Sequence, residues 1–100
     1  MFKGTTPTHK FNVSIDTSFI KEVKITYSQR DKEILVKRTD DCTIGDGAIA
    51  TRLSQEDTFL FEGNMLVTIQ LRVLTLGGDA LVSEPIMTGV GKCIDDEVLV

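Results

Sequence analysis

The sequence predicts an all-β fold: an antiparallel, immunoglobulin-like β-sandwich of about seven strands with one short helical turn. Three observations carry that expectation. Apolar residues recur at every second position in several separate stretches, most plainly at Val67, Ile69, Leu71 and Val73. Turn-forming clusters such as Asp16-Thr17-Ser18, Gly45-Asp46-Gly47 and Gly77-Gly78-Asp79 separate those stretches. The chain has 100 residues, 41% hydrophobic and 26% charged, which is enough for one domain spanning 1–100 but too little for a catalytic cleft between two domains. Length alone therefore favours a binding or structural role. Residues 1–7 and 94–100 read as a flexible lead-in and a flexible tail.

The elements follow in order. His9 to Ile15 places Phe11, Val13 and Ile15 on one side, as a half-buried strand does. After the Asp16-Thr17-Ser18 turn, Val23, Ile25 and Tyr27 alternate with Lys24, Thr26 and Ser28 in a second strand. Gln29-Arg30-Asp31-Lys32 is a polar hairpin connection leading to a third strand, Glu33 to Arg38. Asp40-Asp41 and Gly45-Asp46-Gly47 bracket short apolar pieces, and Ala48 to Leu53 reads as a fourth strand closing a second hairpin. Ser54 can cap one helical turn with Glu56 and Asp57 in its first turn, which would set Phe59 and Phe61 at the edge of the core. The last two strands meet at Gly77-Gly78, where glycine supplies the positive φ that a tight turn requires. Leu66, Ile69, Val73 and Leu76 also lie at helical spacing, but β-branching at Val67, Thr68, Ile69 and Val73 favours strand. Pro85 has no N–H to donate, so the strand from Ala80 to Val90 must be at an edge or broken near that residue.

Charge and composition exclude several function classes. The net charge is −4, there is no tryptophan, and the single tyrosine faces the core, so nucleic-acid binding is disfavoured. Charged or polar residues at Gln70, Arg72 and Asp79 interrupt the longest apolar run well before a membrane span is reached. The opening MFKGTTPTHKF lacks the apolar stretch of a signal peptide, so, with Met1 as the natural start, a chain made and kept in the cytosol or exported by a lysis route is expected. Residues 1–38 carry eight Lys/Arg against four Asp/Glu, a balance of +4, whereas residues 39–100 carry three against eleven, a balance of −8. If that asymmetry survives folding, it favours head-to-tail contact between copies.

A search for chemistry finds little. The only histidine, His9, has no partner at metal-ligand or acid/base spacing. Cys42 and Cys93 lack a CxxC arrangement and fit two reduced thiols in a reducing compartment, with pairing left open. The carboxylates at Asp40-Asp41, Glu56-Asp57 and Asp95-Asp96-Glu97 do not alternate as calcium loops do, and no helix or lysine follows the glycine turns to hold phosphate. The expectation is a non-enzyme with no catalytic residues, metal or cofactor.

The order of KGTTPTHKFNVSID, IKEVKITYSQ, LSQEDTFLF and VTIQLRVLTLGGDALVSEPI resembles a set of small proteins encoded in prophages of Gram-positive bacteria. The same layout resembles the N-terminal β-sandwich domain of the phage baseplate upper protein family. Gly4, Thr5, Pro7, Gln70, Arg72 and Gly77 are the matching positions, and the resemblance implies structural or interfacial roles for them. It implies a phage tail or baseplate component that works through protein–protein contacts with other phage structural proteins, homo-oligomerisation being open. It also implies a place in the bacterial cytoplasm during assembly and then in the virion, with no membrane partner. On that reading Leu66, Gln70, Arg72, Leu74 and Leu76 are the candidate interface. The alternative is a carbohydrate-binding-like sandwich for adhesion to a host surface, for which Phe2 and Phe19 are the only rings not drawn inward.

Overall fold

A computed structural model describes residues 1–100. Eight strands and one helix follow one another as β1 (Thr8–Asn12), β2 (Ile20–Gln29), β3 (Lys32–Arg38), β4 (Cys42–Gly45), β5 (Ala48–Arg52), α1 (Gln55–Phe59), β6 (Met65–Thr75), β7 (Ala80–Val82) and β8 (Ile86–Val90). Short 3₁₀ turns at Thr17–Phe19 and Thr39–Asp41 lead into β2 and β4. One sheet has the order β1-β5-β4, and the other has the order β3-β2-β6 with β7 and β8 sharing the far side of β6. Every pairing is antiparallel. The two sheets pack face to face as a β-sandwich.

The core forms where the alternating positions of both sheets meet. Val23, Ile25 and Tyr27 from β2 and Val67, Ile69, Leu71 and Val73 from β6 face Phe11 of β1 and Ile49 of β5. Leu53 and Phe61, on either side of α1, close one end of that layer, and Phe59 beside Phe61 stays half-buried against Gly4. Each such side chain removed from water contributes about 1.5–3 kcal/mol. Tyr27 brings a hydroxyl into this layer and shares a 2.7 Å hydrogen bond with His9 Nδ1.

Strand boundaries differ from the sequence pattern in two places. Regular pairing of β1 stops at Asn12 rather than Ile15, although the Val13 N–H still donates to the Gly47 carbonyl and both Val13 and Ile15 pack against the core. The strand expected over Ala80 to Val90 is two strands. Ser83-Glu84-Pro85 separates them, and this break together with the added β4 gives eight strands where about seven were expected.

Two hairpins turn through a pair of residues with positive φ. Asp46 and Gly47 join β4 to β5 at φ 50° and 74°, the conformation that Asp-Gly favours. Arg30 and Asp31 join β2 to β3 at φ 52° and 61°, where neither side chain is at ease.

Polar clamps hold the end of the sandwich that carries α1. Ser54 and Asp57 form a reciprocal cap, the Asp57 N–H donating to Ser54 Oγ and the Ser54 N–H to Asp57 Oδ2. Lys37 Nζ reaches from β3 to the same carboxylate oxygen at 2.7 Å. Burial raises the Asp57 pKa, but the hydrogen bonds from Lys37 and Ser54 outweigh it and hold the carboxyl below its ordinary value. Thr58, fully buried, accepts from the Gly4 N–H and donates to the Thr5 carbonyl. Residues 1–7, expected to be flexible, are tied further by Lys3 N–H to Gly91 and by the Leu53 N–H to Pro7. In the tail, the Gln55 side-chain amide exchanges two hydrogen bonds with the backbone of Leu99.

Replacing Arg30-Asp31 by Asn-Gly should stabilise the fold by about 1 kcal/mol, because the turn conformation is then intrinsic to its residues. The exposed Arg30–Glu62 ion pair lost in the exchange offsets little of this. A urea midpoint unchanged or lowered would contradict that assignment of strain. Burial also holds His9 below the ordinary imidazole value of 6.5, so the unfolded chain binds the proton more readily than the folded one. The His9 contribution is therefore complete above about pH 6.5 and is lost as pH falls through the lowered folded value. Urea midpoints measured across that window should fall with pH in the native chain and flatten in His9→Asn.

Candidate interaction surface

Because successive side chains of a strand point to opposite faces, β6 places Leu66, Thr68, Gln70, Arg72 and Leu74 opposite its core-facing residues. The three-stranded sheet lies on the other side, so this outer face is open to solvent. Leu66 is 57% exposed and Arg72 is exposed, whereas Gln70 and Leu74 are half-buried by their neighbours. Leu76 sits past the end of the strand, where its N–H donates to the Phe19 carbonyl and its side chain is exposed. Four of the five positions singled out by sequence thus share one face, and the fifth lies at its end.

The register adds residues that the sequence pattern did not single out. Met87 lies opposite Thr68, Val82 opposite Arg72, and Ala80 opposite Leu74. Met87 is 67% exposed and Val82 59%, so with Leu66 they form an apolar strip along the free side of β6 that is interrupted at the level of Gln70. Across β2, Lys24 lies opposite Arg72 and also opposite Arg38 of β3. Three cations therefore stand in one line on the same face.

The free edge is shaped by Pro85. Between β7 and β8 the ladder is patched by Ser83, whose N–H donates to the Leu71 carbonyl and whose Oγ accepts from the Leu71 N–H. The Gln70 side-chain amide donates to the Ser83 carbonyl. Leu81 and Ile86 point to the inner side of this edge yet remain 41% and 49% exposed. They line two shallow hollows against the β1 segment, one with Val13 and Ile15 and one with His9 and Phe11.

Chemical groups are sparse on these surfaces. No three His, Cys, Asp or Glu side chains converge, and both cysteines are free thiols. His9 is occupied by Tyr27, whose own pKa burial pushes well above the ordinary phenol value. The two exposed rings, Phe2 and Phe19, lie at opposite ends of β6: Phe2 bridges to Gly91 beside the Val90–Met65 pair, and Phe19 adjoins Leu76. They do not share a platform. Comparison with protein-family models, with curated proteins and with solved structures returned no match.

Ser83→Ala should leave the Leu71 N–H without a partner inside the edge and cost about 1–2 kcal/mol. Faster amide exchange at Leu71 than at Val73 is the expected signature, and unchanged exchange would show that the patch is dispensable.

Proposed function

We propose that this chain is a non-enzymatic structural or assembly component of a phage tail or baseplate, acting through protein–protein contacts. The observation that carries the reading is the uncovered outer face, where Leu66, Val82 and Met87 expose apolar surface beside Gln70, Arg72 and Leu74. Exposed apolar side chains on one face of a small domain, rimmed by polar residues, favour a contact surface. The setting, with other phage structural proteins as partners, is taken from the resemblance of the sequence, in the order of its stretches, to small prophage-encoded proteins. In that setting the chain works in the bacterial cytoplasm during assembly and afterwards in the virion.

The rigid sheet suits this role. A surface built on paired strands presents its side chains in fixed geometry, and repeated copies can then meet under one rotational symmetry. Solution mass by light scattering over a wide concentration range tests the proposal, with a discrete trimer or hexamer expected. Leu66→Ser with Met87→Ser should weaken association by roughly tenfold to a hundredfold while far-UV circular dichroism stays unchanged. An assembly whose mass is the same in that double variant would remove the outer apolar strip from the contact, and a monomer at every concentration would remove self-assembly from the reading.

A further inference from the structure

The line of cations across the outer face is costly as it stands. Arg38, Lys24 and Arg72 occupy directly opposed positions on three adjacent strands, and like charges so placed destabilise a sheet. The chain makes two ion pairs, Arg30–Glu62 and Lys37–Asp57, and neither involves this line. Two carboxylates are near in sequence. Glu22 faces Leu74 in the next register position, and the Asp41 carboxylate is engaged by the Arg38 backbone N–H at 2.9 Å. Glu22 and the three cations line one shallow hollow whose apolar wall includes Leu74 and Ala80, so one carboxylate stands against three cations and an excess of positive charge remains.

The complementary charge lies elsewhere on the same chain. Asp95, Asp96 and Glu97 are all exposed, enter neither ion pair, and are followed by Leu99 at 73% exposure. They are held at the α1 end, because Cys93 Sγ packs beside Gly4 and Leu99 is hydrogen-bonded to Gln55. Arg72 is seven residues along β6 from Met65 at that end, a rise of about 24 Å. Arg72 thus stands well away from the acidic stretch of its own molecule, while Arg38, whose neighbour Lys37 binds Asp57 of α1, stands nearer to it. No ion pair joins the two within one molecule, which leaves the acids open to the cation line of another.

Resting on the contact role given above, we propose that the line Arg38, Lys24 and Arg72 of one copy receives the acidic stretch Asp95-Asp96-Glu97 of a second copy. The acids neutralise the opposed cations, and Leu99 meets the apolar wall at Leu74 and Ala80. The two surfaces differ, so the contact is head-to-tail and generates a ring or an open chain rather than a two-fold dimer.

Light scattering on the full chain, from about 0.05 M to about 0.5 M salt, tests this, since exposed pairs are screened over that range. Association should weaken steeply with salt. Lys24→Glu should lower it roughly tenfold or more, and so should Asp95→Asn with Asp96→Asn and Glu97→Gln. Lys24→Glu should at the same time raise the urea midpoint, because each arginine then faces a carboxylate. Association that ignores salt and either charge variant, yet falls in Leu66→Ser with Met87→Ser, would overturn this docking and leave the apolar contact standing. A monomer at every concentration and salt would overturn it as well. Association lost in the charge variants but indifferent to the serine pair would uphold the docking and move the contact away from the apolar strip.

Discussion

Burial of Val67, Ile69, Leu71 and Val73 fixes the register of β6, and the outer face is a consequence of that register. A slip of one residue would drive Thr68, Gln70 and Arg72 into the core and expose all four apolar side chains. The penalty is many kcal/mol, of order 1.5–3 for each apolar residue and more for a buried guanidinium without a partner. Because β2, β7 and β8 all pair with this one strand, its register dictates which of their residues stand together outside. Leu66 near Met87, and Lys24 beside Arg72, follow from core packing alone.

The ends of the sandwich are held by different physics from its middle. At the α1 end the buried polar side chains are satisfied: Gln29 exchanges two hydrogen bonds with the Glu62 backbone, Thr58 binds the Gly4 and Thr5 backbone, and the Lys37–Asp57 pair joins β3 to the helix cap. A five-residue helix is too short to persist by itself. Its reciprocal cap and the lysine make it a fixed plug, against which the lead-in and tail are laid. The carboxyl of Asp57, held low by these partners, contributes stability above its ordinary value that is lost as the pH falls through the lowered one. Acid should therefore loosen this end, and with it the segments that α1 anchors.

How much of this was legible in the sequence depends on the range of the interaction involved. The alternation in β2 and β6, the Ser54 cap and the break at Pro85 are local, and each could be read from adjacent residues. Strand β4 was hidden because Cys42-Thr43-Ile44-Gly45 is short and does not alternate clearly. The Arg30-Asp31 turn was visible as a polar connection, but nothing in two charged residues announces positive φ. Among the candidate surface residues, Leu66, Gln70, Arg72 and Leu74 share a face because they share a strand. Met87, Val82, Lys24 and Arg38 join them only through cross-strand register, which a linear pattern does not encode. The lead-in read as loose because its partners, Thr58 and Gly91, are distant in sequence.

The break at Pro85 also bears on how this edge can be used. An uninterrupted free edge beside β6 would offer a long row of unpaired backbone groups for strand addition. Here the edge strands have three and five residues, separated by a proline with no N–H and by a serine whose own hydrogen bonds turn back to Leu71. Such an edge is a poor template for another strand. What remains for a partner is the side-chain surface: the apolar strip formed by Leu66, Val82 and Met87, and the cation line beside it. Contacts of that kind depend on matching shape and charge rather than on backbone pairing, so they can be specific without recruiting strand addition at this edge.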